Sequence, residues 1–336
     1  MIQIALEKPG RFVTTEGSSP RPAEGEALVR VHRIGVCGTD LHAFAGRQPF
    51  FNYPRILGHE LGVEVIDAGS EPLGLNRGDR CSVEPYLNCG RCIACRAGRS
   101  NCCEELKCLG VHVDGGMRPE IVVPARKLHR SHILSYDQLA LVETLGIGAH
   151  AVQRAGITRH EFVLVIGAGP IGLSVSQFVQ VRGATLAVMD VRESRLDFCR
   201  SELGVEHTLV AGTGIVEQLR AIGGGDLPTV VMDATGNAAS MARTFDLPAQ
   251  GGRIVLVGLF QGEVSFDDPN FHRRELTVLA SRNALPANFR DIIELIEAGT
   301  INTTPWITHR FPLADTPHRF PEIAANPGVI KAVIDV

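Results

Sequence analysis

A glycine-rich turn at residues 167–172 restricts the folds open to this chain more than any other feature. Gly167-Ala168-Gly169-Pro170-Ile171-Gly172 follows the apolar run Phe162–Ile166 and opens a helix expected from about Pro170 to Val181. The next apolar run, Thr185–Met189, ends at Asp190. Alone, G-x-G-x-x-G is a weak signal. Between a strand and a helix, with an acid at the end of the following strand, it is the fingerprint of a dinucleotide-binding unit. Gly167 permits the tight turn, Gly169 lets a pyrophosphate approach the backbone, and Gly172 lets helix and strand pack closely. The helix start at Pro170 and Ile171 offers free N–H groups and a positive dipole to phosphate. Asp190 would accept hydrogen bonds from the adenosine ribose and repel a 2′-phosphate, which favours NAD over NADP. Arg192 and Arg195 nearby weigh the other way, and Arg195 is a further candidate contact.

Around this turn the chain alternates strand and helix. After Thr185–Met189 comes a helical segment, Arg192–Leu203, and strands recur at Val230–Met232, Arg253–Val257 and Leu276–Ala280. That rhythm implies an α/β fold with a doubly wound parallel sheet. Residues 1–135 differ: short strands such as Ala27–Ile34 and Glu60–Ile66 are punctuated by Gly78-Asp79 and Asp114-Gly115-Gly116, as in a β-rich, barrel-like domain. The tail from about 300 returns to short segments ending in Lys331–Val336 and is expected to fold back onto the first domain. The 336 residues suit two domains. A net charge of −4 argues against a nucleic-acid partner. Residues 1–20 carry no secretory pattern, and the expected location is the cytoplasm. Phe162–Val181 is uncharged and long enough to span a bilayer, but its glycines, proline, serines and glutamines suit a buried strand and helix better. No membrane partner is expected.

Four of the nine cysteines, Cys89, Cys92, Cys95 and Cys103, form C-x2-C-x2-C-x7-C. Four thiolates at such spacing close a tetrahedral zinc site with no position left for substrate, so the expected role is structural. An iron–sulfur cluster also takes four cysteines, but the spacing to the fourth differs from the ferredoxin run. Cys102 adjoins Cys103 and competes for the fourth place. The first domain also holds Cys37-Gly38-Thr39-Asp40-Leu41-His42 and Gly58-His59-Glu60. Cys37 and His59 are ligand types for a catalytic zinc, Glu60 adds a carboxylate, and Glu143 is a candidate fourth. Taken singly, Cys37 reads as a small core residue, His59 as a satisfied buried histidine and Glu143 as the cap of a following helix. Together, beside a dinucleotide site, they read as a metal centre.

With these motifs in order over nearly the whole chain, joined by Gly78-Asp79-Arg80 and Asp233-Ala234-Thr235-Gly236, the sequence resembles the medium-chain zinc dehydrogenases, especially the polyol and threonine dehydrogenase branch. The resemblance implies a GroES-like catalytic domain, 1–143 with 282–336, a Rossmann NAD-binding domain at 144–281, and an active site in the cleft. It implies two zinc ions per chain, NAD, a small-molecule substrate, and a homodimer or homotetramer. By position, Cys37, His59 and Glu60 would ligate or flank the catalytic zinc. Glu143 stands where polyol-type members carry a glutamate, and Asp40 would orient His59. Two departures stand out: Gly62 comes one place early in G-H-E-x-x-G, and Ala43, followed by Phe44, stands where sorbitol dehydrogenase-like members tend to carry an aromatic residue after the relay histidine, which argues against sorbitol itself as substrate.

The implied reaction oxidises a secondary alcohol. Thr39 would take the hydroxyl proton and pass it through the nicotinamide ribose to His42, whose class titrates near ~6.5. Thr235, Gly258 and Arg282 follow expected Rossmann strands and are further cofactor contacts, while Lys331 reads as a phosphate contact or a solvated lysine. Two other readings compete: a zinc-independent quinone-type reductase, which would not need Cys37, His59 or the cysteine lobe, and a non-enzymatic NAD-binding regulator, which would not need the relay. Candidate substrates are a polyol, a sugar acid or its lactone, a sugar phosphate and threonine. His112, Arg118 and Arg282 are candidates to meet a carboxylate.

Overall fold

A computed structural model describes residues 1–69 and 74–336. It divides into two compact units, Met1–Thr144 with Ala284–Val336, and Leu145–Asn283.

The first unit is built on antiparallel pairing. Its largest sheet has seven strands, and Glu26–Gly35 lies in its middle. Ala27, Val29 and Val31 alternate inward from that strand and are 0–1 % exposed. Burial of each of the two valines stabilises by about 1.5–3 kcal/mol. Strand Glu60–Asp67 pairs on one side, with Gly35 opposite Glu60. Strand Lys331–Asp335 pairs on the other, with Val333 opposite Gly35. The tail thus joins the first domain's sheet, and the C-terminal end of the central strand lies between the starts of two neighbours. The early Gly62 has a local reason. The strand register shifts between Val31 and Arg33, and a Cβ on Gly62 would run into the Tyr136 carbonyl. A separate two-stranded ladder joins Tyr86–Leu87 to Lys107–Cys108.

The second unit holds a six-stranded, all-parallel sheet. In chain order within the unit its strands are arranged 3-2-1-4-5-6, the dinucleotide-binding order. The outermost, His207–Val210, was not anticipated, because four residues with two half-polar positions carry no period to read. Strand Phe162–Ile166 is buried throughout, and helix Pro170–Val181 buries Gly172 to Val179 against it. The suspected membrane span is therefore a core strand plus a core helix. Among the described residues no helix is long and apolar enough to cross a membrane. Glu143 does not precede a helix but lies within Tyr136–Ala155, so it caps nothing.

Candidate functional site

The first unit gathers Cys37, His59 and Glu60, with one ligand atom of each within 4.8 Å of the others. Local structure sets each one. Cys37 precedes the helix Gly38–Phe44, and its N–H donates to Asp40 Oδ2 at 2.9 Å. This acid three residues into the helix satisfies a free N-terminal donor. Gly58, at φ 96°, turns the chain just before His59, and its carbonyl accepts the Gly116 N–H at 2.9 Å. Glu60 then opens its strand. Asp40 Oδ1 and His59 Nδ1 are both buried without a hydrogen-bond partner and lie 3.6 Å apart. Nδ1 therefore faces the carboxylate, leaving Nε2 for the cluster, the usual arrangement of a ligating histidine and its orienting acid. Burial opposes charge on His59, yet Asp40, then Cys37 and Glu143, hold its pKa well above the usual value. A thiol, an imidazole and a carboxylate crowded together, with orphaned polar atoms beside them, fit a divalent ion of the zinc type.

Lys331 is the residue the sequence reading misjudged. It is neither a phosphate contact nor a surface lysine. It is 2 % exposed, and its ammonium donates to both Glu60 carboxylate oxygens at 2.6 Å and to the Val36 carbonyl at 3.3 Å. Despite burial, Lys331 and then His59 hold the Glu60 carboxyl below its usual pKa. A Cβ on Gly35 would collide with the Glu60 carboxylate, so the cross-strand glycine makes room for the pair. Glu143 is buried and electrostatically coupled to His59, but it lies outside the three-residue cluster. Its Oε1 accepts the Tyr86 hydroxyl, a partner no sequence spacing signals. Thr39 is half-buried and His42 exposed, one turn apart on the same short helix.

Cys89, Cys92, Cys95 and Cys103 also converge, with all four sulfurs within 4.8 Å. The Cys89 N–H donates to the Cys103 sulfur at 3.2 Å and the Cys92 N–H to the Cys89 sulfur at 3.4 Å. Backbone N–H groups of Cys95 and Glu104 hold the Cys92 thiol down at about 6. Burial acts the other way on Cys103, whose thiol is pushed up to about 11. Cys102 is exposed and outside the cluster, whereas Cys103 lies within it.

In the second unit, Gly167 takes φ 95° at the end of the first parallel strand. A Cβ on Gly172 would strike the Gly167 carbonyl. A Cβ on Gly169 would meet no protein atom within 4 Å, so it would fill only the space over the helix start Pro170-Ile171. That open cradle fits a pyrophosphate. Asp190 does more than the sequence suggests: it accepts the Ala168 N–H at 2.7 Å and the Arg192 N–H at 2.9 Å, tying the glycine loop to the second strand. Each carboxylate oxygen can still accept a further bond. Arg195 is only 6 % exposed, and burial lowers its pKa. Arg192, with Nε 3.7 Å from Asp190 Oδ1, is the more accessible guanidinium. Thr235, Gly258 and Arg282 each lie just beyond the C-terminal end of a parallel strand, on the sheet edge that carries Gly167. Thr235 is oriented by donating to Asp233 Oδ1 through both N–H (2.9 Å) and Oγ1 (2.6 Å).

A β-rich unit with a thiol–imidazole–carboxylate cluster, and a second unit with the dinucleotide-binding strand order, define a two-unit metal-dependent oxidoreductase. Residues 23–133 match the alcohol dehydrogenase GroES-like domain and residues 170–298 the zinc-binding dehydrogenase domain. The chain belongs to the medium-chain zinc-dependent alcohol dehydrogenases, in their polyol branch. It is 40 % identical over 337 residues to L-galactonate-5-dehydrogenase of Escherichia coli K12, covering 99 % of this chain and 98 % of that one. It is 33 % identical over 338 residues to D-altritol 5-dehydrogenase of Agrobacterium fabrum, covering 98 % of each. Among solved structures, the alcohol dehydrogenase rspB of E. coli CFT073, complexed with NADH, superposes with a TM-score of 0.93 at 28 % identity, over 100 % of this chain and 99 % of that one. The chain is an enzyme, an oxidoreductase acting on small polar alcohols.

Proposed function

We propose that this enzyme oxidises a secondary hydroxyl of an open-chain aldonate or polyol, with NAD as hydride acceptor and zinc held by Cys37, His59 and Glu60. The observation that carries the reading is the convergence of half-buried Cys37 with buried His59 and Glu60, the latter two oriented by Asp40 and Lys331. Zinc bound there supplies Lewis-acid polarisation of the substrate hydroxyl oxygen. Relatives named for L-galactonate and D-altritol support the substrate class, and Asp190 supports NAD.

The carbinol carbon loses a hydride to NAD and its hydroxyl loses a proton, giving a ketone, NADH and H⁺. Thr39 Oγ1 accepts that proton as it hands its own on. His42 stands three residues further along the same helix, on the same face, and its exposed ring delivers the proton to solvent. Partial burial and the neighbouring Arg47 hold the His42 pKa below the usual histidine value, so the ring is neutral and receptive at neutral pH. Turnover therefore falls as pH drops through that lowered pKa, where His42 arrives already protonated. Arg47→Gln removes the repelling charge, raises the His42 pKa and moves the acid limb of the pH–kcat profile to higher pH. A limb unmoved in that variant removes His42 from the relay.

The reading is tested by following NADH absorbance with L-galactonate and other aldonates, hexitols, pentitols, sugar phosphates, threonine and simple alcohols. Each is run with NAD and with NADP, and with a zinc chelator as control. Chelator-sensitive, NAD-linked turnover of an aldonate or polyol supports it. Turnover confined to simple alcohols, or insensitive to the chelator, overturns it.

A further inference from the structure

Tyr86 lies outside every motif of the sequence, yet its position is set from several sides. It is 3 % exposed, on the short strand that pairs with Lys107–Cys108 away from the main sheet. Its ring packs edge-on against Phe289, with centroids 6.4 Å apart and planes at 75°. Phe289 is fully buried on helix Pro286–Glu297 and stacks on His129 at 4.9 Å. His129 Nε2 lies 3.2 Å from Glu84 Oε2, and Lys127 pairs with the other oxygen of that buried carboxylate. A packed column of rings and paired charges thus fixes Tyr86, and none of its members is in the Cys37–His59–Glu60 cluster. Its hydroxyl makes the only hydrogen bond to Glu143 among the described residues.

Glu143 projects from the middle of a 20-residue helix and interacts electrostatically with both His59 and Glu60. A carboxylate is a zinc ligand type, so Glu143 is a candidate fourth ligand. Four protein ligands close a zinc site, whereas a catalytic site needs three and an open position. We propose that Tyr86 is a positioning residue that holds Glu143 out of the metal's coordination shell and so keeps a position open for the substrate oxygen. The proposal rests on reading Cys37, His59 and Glu60 as the ligands. Tyr86 acts by occupying a Glu143 lone pair from a rigid support, so that moving the carboxylate toward the ion would break a buried hydrogen bond.

The test uses Tyr86→Phe, which keeps the ring and its contact with Phe289. The purified enzyme is loaded with Co2+, and three quantities are read: the visible cobalt absorption, the rate of metal release to a chelator, and kcat and KM separately. Changes beside a metal's ligands commonly alter affinity or activity by about 10–100-fold. Here the cobalt held by Cys37, His59 and Glu60 is expected to leave the variant about tenfold more slowly, with an altered visible band and a fall in kcat larger than any change in KM. In the Glu143→Gln background, the same tyrosine change is expected to leave release and spectrum unaltered. Release and spectrum equal to the parent's in Tyr86→Phe overturn the proposal. So does an effect that persists in the Glu143→Gln background, since Tyr86 would then act through packing. A parent enzyme that takes up cobalt only at the four-cysteine lobe refutes the ligand assignment itself, before any variant is compared.

Discussion

Lys331→Met lowers stability by about 3–5 kcal/mol, the usual penalty for stranding one partner of a buried ion pair. The pair is 1 % exposed on both sides, and the ammonium touches both Glu60 oxygens at 2.6 Å, so no water replaces what the lysine supplied. Methionine fills similar volume, which confines the effect to charge and hydrogen bonding. The measurement is a shift of the denaturant midpoint at unchanged slope, made on chelator-treated protein and again with zinc restored. The full loss is expected without metal. Part of it returns with zinc, because the ion supplies the positive charge Glu60 has lost. Adding Glu60→Gln to Lys331→Met recovers most of the chelated loss, because the stranded charge is gone. An exposed pair makes the contrast. Arg91 and Glu105 are 77 % and 54 % exposed, and Arg91→Ala is expected to change stability by less than about 1 kcal/mol. A Lys331→Met loss as small as that would mean that Glu60 is protonated or hydrated in solution, and the buried pair would have to be abandoned.

Thr39→Val lowers kcat by about 10²–10⁴-fold, the range of a lost proton-transfer group, while metal content is unchanged. Valine keeps the branched shape and the helix Gly38–Phe44, and Thr39 is not among the clustered ligands. Elemental analysis and single-turnover NADH formation separate loss of chemistry from loss of metal. Full turnover in this variant would show that the proton leaves by another route, and His42 would lose its role with it.

Legibility in the sequence followed distance along the chain. The glycine turn, the helix it opens and Asp190 span one strand–helix–strand unit, so their spacing reports their geometry directly. The cysteine lobe is similar: four sulfurs within fifteen residues can reach one ion only if the loop folds on itself, and it does. The six-stranded sheet was legible apart from His207–Val210, whose four residues are too short and too polar to show a period. The departures from the family pattern were visible, but only the structure explained Gly62, through the carbonyl of Tyr136.

Local pattern was enough to expect two units, a dinucleotide turn, a four-cysteine lobe and the residue types of a metal centre, because turns, caps and short loops are governed by neighbours in sequence. Sheet pairing decided the rest. Lys331 meets Glu60 across 271 residues because both start strands that flank the same central strand. Tyr86 meets Glu143 across 57 residues because a minor ladder and a long helix pack together. A lysine near a chain end and a tyrosine between motifs look like solvated or filler residues until burial removes water. Once buried, each polar group must find a partner, and which partner it finds is set by the packing of distant elements.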